Sequence, residues 1–187
     1  MGNSTIGVSI KPNTYIYFTL LLLIFPLDWV LAWIMAALFH EICHWLAVKI
    51  CGGQVLSVTL GLGGAEMYCG NMPDRCRVFS ALCGPMGGLI LIFARIWFPK
   101  VALCSLILSA YNLLPLLPLD GGQVLRIIIK SDKIFFLIQK IALLSIVLLA
   151  IYATFILRLG IFPAALVCGL YLKNRNCPCK ERICRVQ

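Results

Sequence analysis

The sequence predicts an all-α polytopic membrane protein. It has about six transmembrane helices, with a short β-hairpin or membrane-associated loop after the second. Three observations carry this. The 187 residues are 61% hydrophobic and only 12% charged, whereas a soluble domain is nearer half apolar and a quarter charged. Six apolar segments can be marked along the chain. The net charge of +9 is also spread unevenly over the loops between them.

The first segment, Pro12–Leu27, carries no charge, apart from Lys11 just ahead of it, and nearly suffices to cross a bilayer. It resembles a signal-peptide core, but no small-x-small cleavage site follows, so an uncleaved first span is expected. Met1-Gly2 begins like a myristoylation signal, yet Ile6 stands where Ser or Thr is wanted. The second segment is Trp29–Ile50. Between it and the third lies Cys51–Asp74, where β-prone Val55–Leu60, Gly61-Leu62-Gly63-Gly64 and Ala65–Tyr68 read as two short strands around a turn. Such a hairpin presents an open edge able to pair with an extended peptide.

The third segment, Val78–Phe98, contains Gly84 and Gly88 at small-xxx-small spacing with Pro85 between, which favours close helix packing and a kink. Val101–Leu119 is uncharged but holds Asn112, Pro115 and Pro118. Ile134–Leu157 is a full-length span. Leu159–Leu172 is short, roughly 21 Å of helix against a hydrocarbon core of about 30 Å. With six spans, both termini share one side with Lys49, Arg75, Arg77, Arg126 and Lys130. The other side holds only Arg95, Lys100 and Arg158. The positive-inside rule then places both termini in the cytoplasm. The charge speaks for anionic lipid rather than nucleic acid, since no basic-aromatic interleaving is present. Most of the ten cysteines sit in apolar runs and are expected reduced and structural. Cys177, Cys179 and Cys184 belong to a basic cytoplasmic tail and fall short of a four-ligand zinc site.

The second segment carries His40-Glu41-Ile42-Cys43-His44, an H-E-x-x-H pattern containing the only two histidines of the protein. On a helix the two imidazoles lie one turn apart on one face. They can grip one Zn²⁺, with Glu41 beside them as general base. Ionisable groups on a membrane segment are costly and mark function. A third ligand is needed. Asp120 is the only acidic residue between Asp74 and Asp132. It stands in Asn112-Leu-Leu-Pro115-Leu-Leu-Pro118-Leu-Asp120-Gly121-Gly122. The prolines free carbonyls of the preceding turn, and the glycines allow a sharp turn after the aspartate. Broken backbone at membrane depth survives only where protein or a wet cavity surrounds it. Asp120 ends the fourth span, which runs in the same direction as the second, so the two motifs can meet below the cytoplasmic surface.

With these paired motifs the chain resembles the site-2 protease family of intramembrane zinc metalloproteases over roughly Trp29–Arg126. Val58–Gly64 and Gly84-Pro85 add to the likeness. It is closest to the sporulation branch (stage IV sporulation protein FB-like), with six spans and the histidine motif on the second. The resemblance implies zinc held by His40, His44 and Asp120, Glu41 as base and Asn112 near the substrate carbonyl. Residues 1–187 then form one membrane-embedded metalloprotease domain. It divides into a first span (1–28), a catalytic core (29–126), two further spans (134–172) and a basic cytoplasmic tail (173–187). The expected substrate is a membrane-associated protein segment, such as a sigma-factor precursor, with regulatory membrane proteins as further partners. Two features depart from the branch. About 15 residues follow the last span, where a nucleotide-sensing CBS domain is typical, and Met86-Gly87-Gly88 follows Gly84-Pro85 without the asparagine often found there. The rival reading is a non-proteolytic membrane scaffold or metal-binding protein, which would need the ligands but not Glu41.

Overall fold

A computed structural model describes residues 7–10, 15, 19, 22–61 and 64–155. Half of the first apolar segment, the whole of the sixth and the cysteine-containing tail lie outside the described residues.

Helix α1 (Leu27–Ile50) begins after Pro26, with Asp28 in its first turn and Lys49 in its last, the polarity the helix dipole favours. It closes on Cys51-Gly52-Gly53. Gly52 adopts φ +72°. Its N–H donates to the Lys49 carbonyl (3.0 Å) and the Gly53 N–H donates to the Val48 carbonyl (2.9 Å). This is a Schellman cap, and the left-handed residue needs glycine.

The cap turns the chain directly into the expected hairpin. Strand β2 (Val55–Gly61) pairs antiparallel with β3 (Gly64–Cys69), Gly61 opposite Gly64, with a bulge between Val55 and Ser57. A strand not foreseen from sequence, β1 (Gly7–Ile10), pairs in parallel with β2, Gly7 opposite Ser57 and Ile10 opposite Leu60. The sheet order is β1-β2-β3, so one edge of the hairpin is covered by the chain's own N-terminal segment. The all-α expectation thus becomes a mostly helical chain with a three-stranded sheet. Val55, Met67 and Cys69 pack on Val48, which seats the sheet on the last turns of α1.

Helix α2 (Asp74–Ile90) starts after Pro73 and continues as a 3₁₀ turn over Leu91–Ile96. Pro85 is accommodated inside it, buried. Helix α3 (Pro99–Asn112) opens with proline at its first position, where no N–H is missed. Lys100 pairs with Asp28 and lies 5.4 Å above the Trp29 ring. Ala32, Ala36 and Cys104 pack together nearby. The N-termini of α1 and α3 therefore sit side by side. From this tie, His40 lies about 18 Å along α1 and Asn112 about 18 Å along α3, so both reach the same depth.

The fourth apolar segment does not continue to Leu119 as one span. Helix α3 stops at Asn112, and Leu113–Leu119 forms a turn, buried at Leu116, Leu117 and Leu119, with a cis Leu117–Pro118 bond. Asp120 does not end a span. It is the first residue of α4 (Asp120–Ile128). The missing N–H groups of Pro115 and Pro118 stop the helical ladder. Helix α5 (Asp132–Phe155) follows. Arg126 pairs with Asp132 at 2.6 Å, and its guanidinium lies 5.0 Å over the buried Phe135 ring. Among the described residues, three helical segments are long and apolar enough to cross a bilayer: Leu27–Ile50, Asp74–Ile96 and Asp132–Tyr152. The chain is a multi-pass membrane protein.

Candidate metal centre

The i, i+4 spacing puts His40 and His44 on the buried face of α1, with 3% and 0% of their surfaces exposed. Their Nε2 atoms are 3.0 Å apart. Asp120, 1% exposed, brings Oδ2 to 3.2 Å from each of them. The two histidines stand 80 and 76 positions from Asp120 in the sequence, and the fold places all three around one point.

The His44 tautomer can be assigned from its partner. Nδ1 lies 2.7 Å from the Ser80 carbonyl oxygen. A carbonyl only accepts, so Nδ1 carries the hydrogen, and Nε2 of the neutral ring presents a lone pair to the centre. Asp120 Oδ2 is buried and receives no well-directed hydrogen bond, although both rings lie close. One proton on His40 Nε2 can serve a single neighbour, whereas a cation at the centre serves three lone pairs at once. The spacing fits as well. Ligand atoms about 2.0–2.1 Å from a tetrahedral zinc are about 3.3 Å from one another, against 3.0–3.2 Å observed. Among the described residues, His40, His44 and Asp120 are the group of side chains able to hold a metal ion.

Two further candidates flank the centre. Asn112, the last residue of α3, places Nδ2 3.4 Å from His40 Nε2. Glu41 is partly buried beside the histidine pair, with one carboxylate oxygen shielded from solvent.

Glycines decide how closely the backbone approaches. A Cβ on Gly84 would overlap the imidazole of His44, so this glycine belongs to the centre and not simply to helix packing. Gly88 does serve packing: a Cβ there would meet Ser109 Oγ, and Ser105 Oγ donates to its carbonyl at 2.8 Å. Gly121 and Gly122 do not make a sharp turn after Asp120. They are helical, and their bare Cα atoms let the Leu113–Leu117 backbone lie against the first turn of α4. Ser80 and Gly84 escape a sequence reading as site residues because one acts through its carbonyl and the other through an absent side chain. The six cysteines among the described residues are unpaired with one another. Burial pushes the Cys69 thiol up, which makes it a packing residue rather than a nucleophile.

The model of peptidase family M50 matches residues 86–153, a range that contains Asn112 and Asp120 but not the histidines. A zinc metalloprotease of Methanocaldococcus jannaschii is 26% identical over 152 residues, covering 73% of this chain. The chain spans 42% of that relative's length. The structure of a site-2 protease from the same organism superimposes with a TM-score of 0.66 at 18% identity, covering 98% of this chain and 94% of that one. The chain therefore has a site-2-protease-like fold.

Proposed function

We propose that this protein is a zinc-dependent intramembrane endopeptidase, cutting a peptide bond within or beside a membrane-embedded segment of a protein substrate. The observation that carries the proposal is the convergence of three buried acceptors, two imidazole nitrogens and a carboxylate oxygen, on one point in the second half of a membrane helix, with Glu41 adjacent. The family match and the curated relative support the same reading. His40, His44 and Asp120 hold the zinc. Zinc bound there supplies Lewis acidity, which acidifies water and polarises a carbonyl.

Glu41 is the base that takes the proton of the attacking water and passes it to the departing amine. Asn112 donates from Nδ2 toward the carbonyl oxygen as negative charge develops on it. The Ser80 carbonyl holds the His44 ring in its metal-binding tautomer. The substrate segment must be extended at the cut, because a helix buries its amides in its own hydrogen bonds.

Assignment to the sporulation branch, with a membrane-tethered regulatory precursor as substrate, is supported by the histidine motif on the second apolar segment. Cytoplasmic termini are supported by the basic excess on one side.

The deciding experiment is co-expression of wild type and Glu41→Gln with candidate membrane-tethered precursors. The variant keeps size and hydrogen bonding but loses the base, so cleavage is expected to fall by roughly 10²- to 10⁴-fold. Zinc content and membrane insertion should be unchanged. Processing that survives in Glu41→Gln would hand the site to the non-proteolytic scaffold reading.

A further inference from the structure

Helix α5 is apolar almost throughout, yet it carries one buried polar side chain, Gln139, 6% exposed. Both ends of its amide are engaged, and both go to one place. Nε2 donates to the Pro115 carbonyl at 3.2 Å, and Oε1 accepts from the Leu117 N–H at 3.4 Å. These groups belong to the turn between Asn112 and Asp120. The turn makes few bonds of its own: Leu116 N–H reaches the Leu114 carbonyl and Leu119 N–H reaches the Leu116 carbonyl, both at 2.8 Å. Pro115 and Pro118 have no N–H to contribute. The Pro118 carbonyl is met by a second amide, Gln123 Nε2 of α4, at 3.2 Å.

A backbone carbonyl and an N–H two residues on, facing the same side, are what a neighbouring strand would satisfy. Here no strand is available, and a primary amide takes its place. It offers one donor and one acceptor in a single plane, which an apolar side chain cannot do. At this depth an unpaired backbone group costs free energy with no water to relieve it. The apolar contacts around the amide fix the helix to the same turn, since Ala142, Leu143 and Ile146 pack on Leu116 and Leu119.

We propose that Gln139 is a positioning residue for the metal centre: its amide stitches the Leu113–Leu119 turn to α5 and so holds Asp120 and Asn112 in register with the two histidines. It touches neither metal nor substrate. The effect runs through the turn, whose two ends are Asn112 and the third ligand. The proposal rests on the zinc reading of the site and adds a residue from outside both motifs.

The test uses the full chain, purified and stripped of metal, with zinc affinity measured by chelator competition and cobalt(II) loaded to read ligand geometry from its visible spectrum. Gln139→Met keeps length and removes both hydrogen bonds. Zinc affinity is expected to fall about 10- to 100-fold, the usual effect of losing an outer-shell partner, and the cobalt bands should shift. Gln139→Glu, whose protonated carboxyl offers the same donor and acceptor, should bind close to wild type. Ser145→Ala on the same helix is the control, because Ser145 bonds only the Ile141 carbonyl of its own helix. Should Gln139→Met not accumulate, Gln139→Asn, with the amide one methylene short, carries the same comparison. Wild-type zinc affinity and an unshifted cobalt spectrum in the Met variant would overturn the positioning role while leaving the zinc site standing. Wild-type protein that binds neither metal would overturn both.

Discussion

At the scale of single residues, the centre depends on what is absent as much as on what is present. Gly84 shows this. In an ordinary helix, Gly→Ala stabilises by roughly 0.5–1 kcal/mol. At this position the added methyl would occupy the space of the His44 ring. His44 is fully buried and tied to the Ser80 carbonyl, so it has nowhere to turn. Gly84→Ala is therefore expected to lower zinc affinity by at least about tenfold, the cost of disturbing a ligand's orientation. Metal content of the purified variant, read by elemental analysis, checks it; full zinc occupancy at wild-type affinity would show that the ring has room to move. The three candidate ligands are legible in the sequence, because H-E-x-x-H encodes its own geometry and acidic residues are scarce around Asp120. Ser80 was not, since a carbonyl contact leaves no trace in residue type.

At the scale of elements, the boundaries follow local chemistry where the chain is punctuated by glycine and proline. The end of α1 is one such point, and it aims the sheet. Gly52 sits in open space, with nothing near its missing Cβ, but at φ +72°. A substitution there meets conformational cost alone. Gly52→Ala is expected to destabilise the protein by about 1–2 kcal/mol, and Gly52→Asn by less, because Asn visits the left-handed region more readily. Thermal unfolding of the detergent-solubilised variants gives the order; an alanine variant as stable as wild type would mean that the cap does not set the turn. The hairpin was likewise readable from Val55–Tyr68. Strand β1 was not: its four residues gain a partner fifty positions away, and so short a run carries too little pattern of its own. The fourth apolar segment misled for the opposite reason. Its hydropathy runs on through Leu119, but Pro115 and Pro118 remove two backbone donors, and hydrogen bonding rather than hydropathy ends the helix at Asn112.

At the scale of the whole molecule, α1 and α3 run side by side from the Asp28–Lys100 tie toward the metal centre, and α2 packs against both. This makes the orientation in the membrane testable. A reporter inserted between Arg95 and Lys100 is expected to read external, and one fused after Gln187 cytoplasmic, because the basic residues gather on the side of the termini. A C-terminal reporter reading external would show that Leu159–Leu172 does not span. The centre would still lie in the half of α1 that carries Lys49.

The sequence alone determined which residues are candidate ligands and the helix that presents two of them. A spacing of four residues on a 3.6-residue helix fixes His40 and His44 on one face without help from the rest of the chain. It also determined the membrane character and the hairpin, both written in local composition and alternation. Only the tertiary structure decided the distances across the chain: Asp120 Oδ2 at 3.2 Å from both rings, the Ser80 carbonyl on His44, Gly84 beneath the imidazole and Gln139 against the broken turn. Those relations join residues tens of positions apart through the packing of different helices. Helix spacing is a local property of the backbone, whereas the approach of one helix to another depends on every side chain between them.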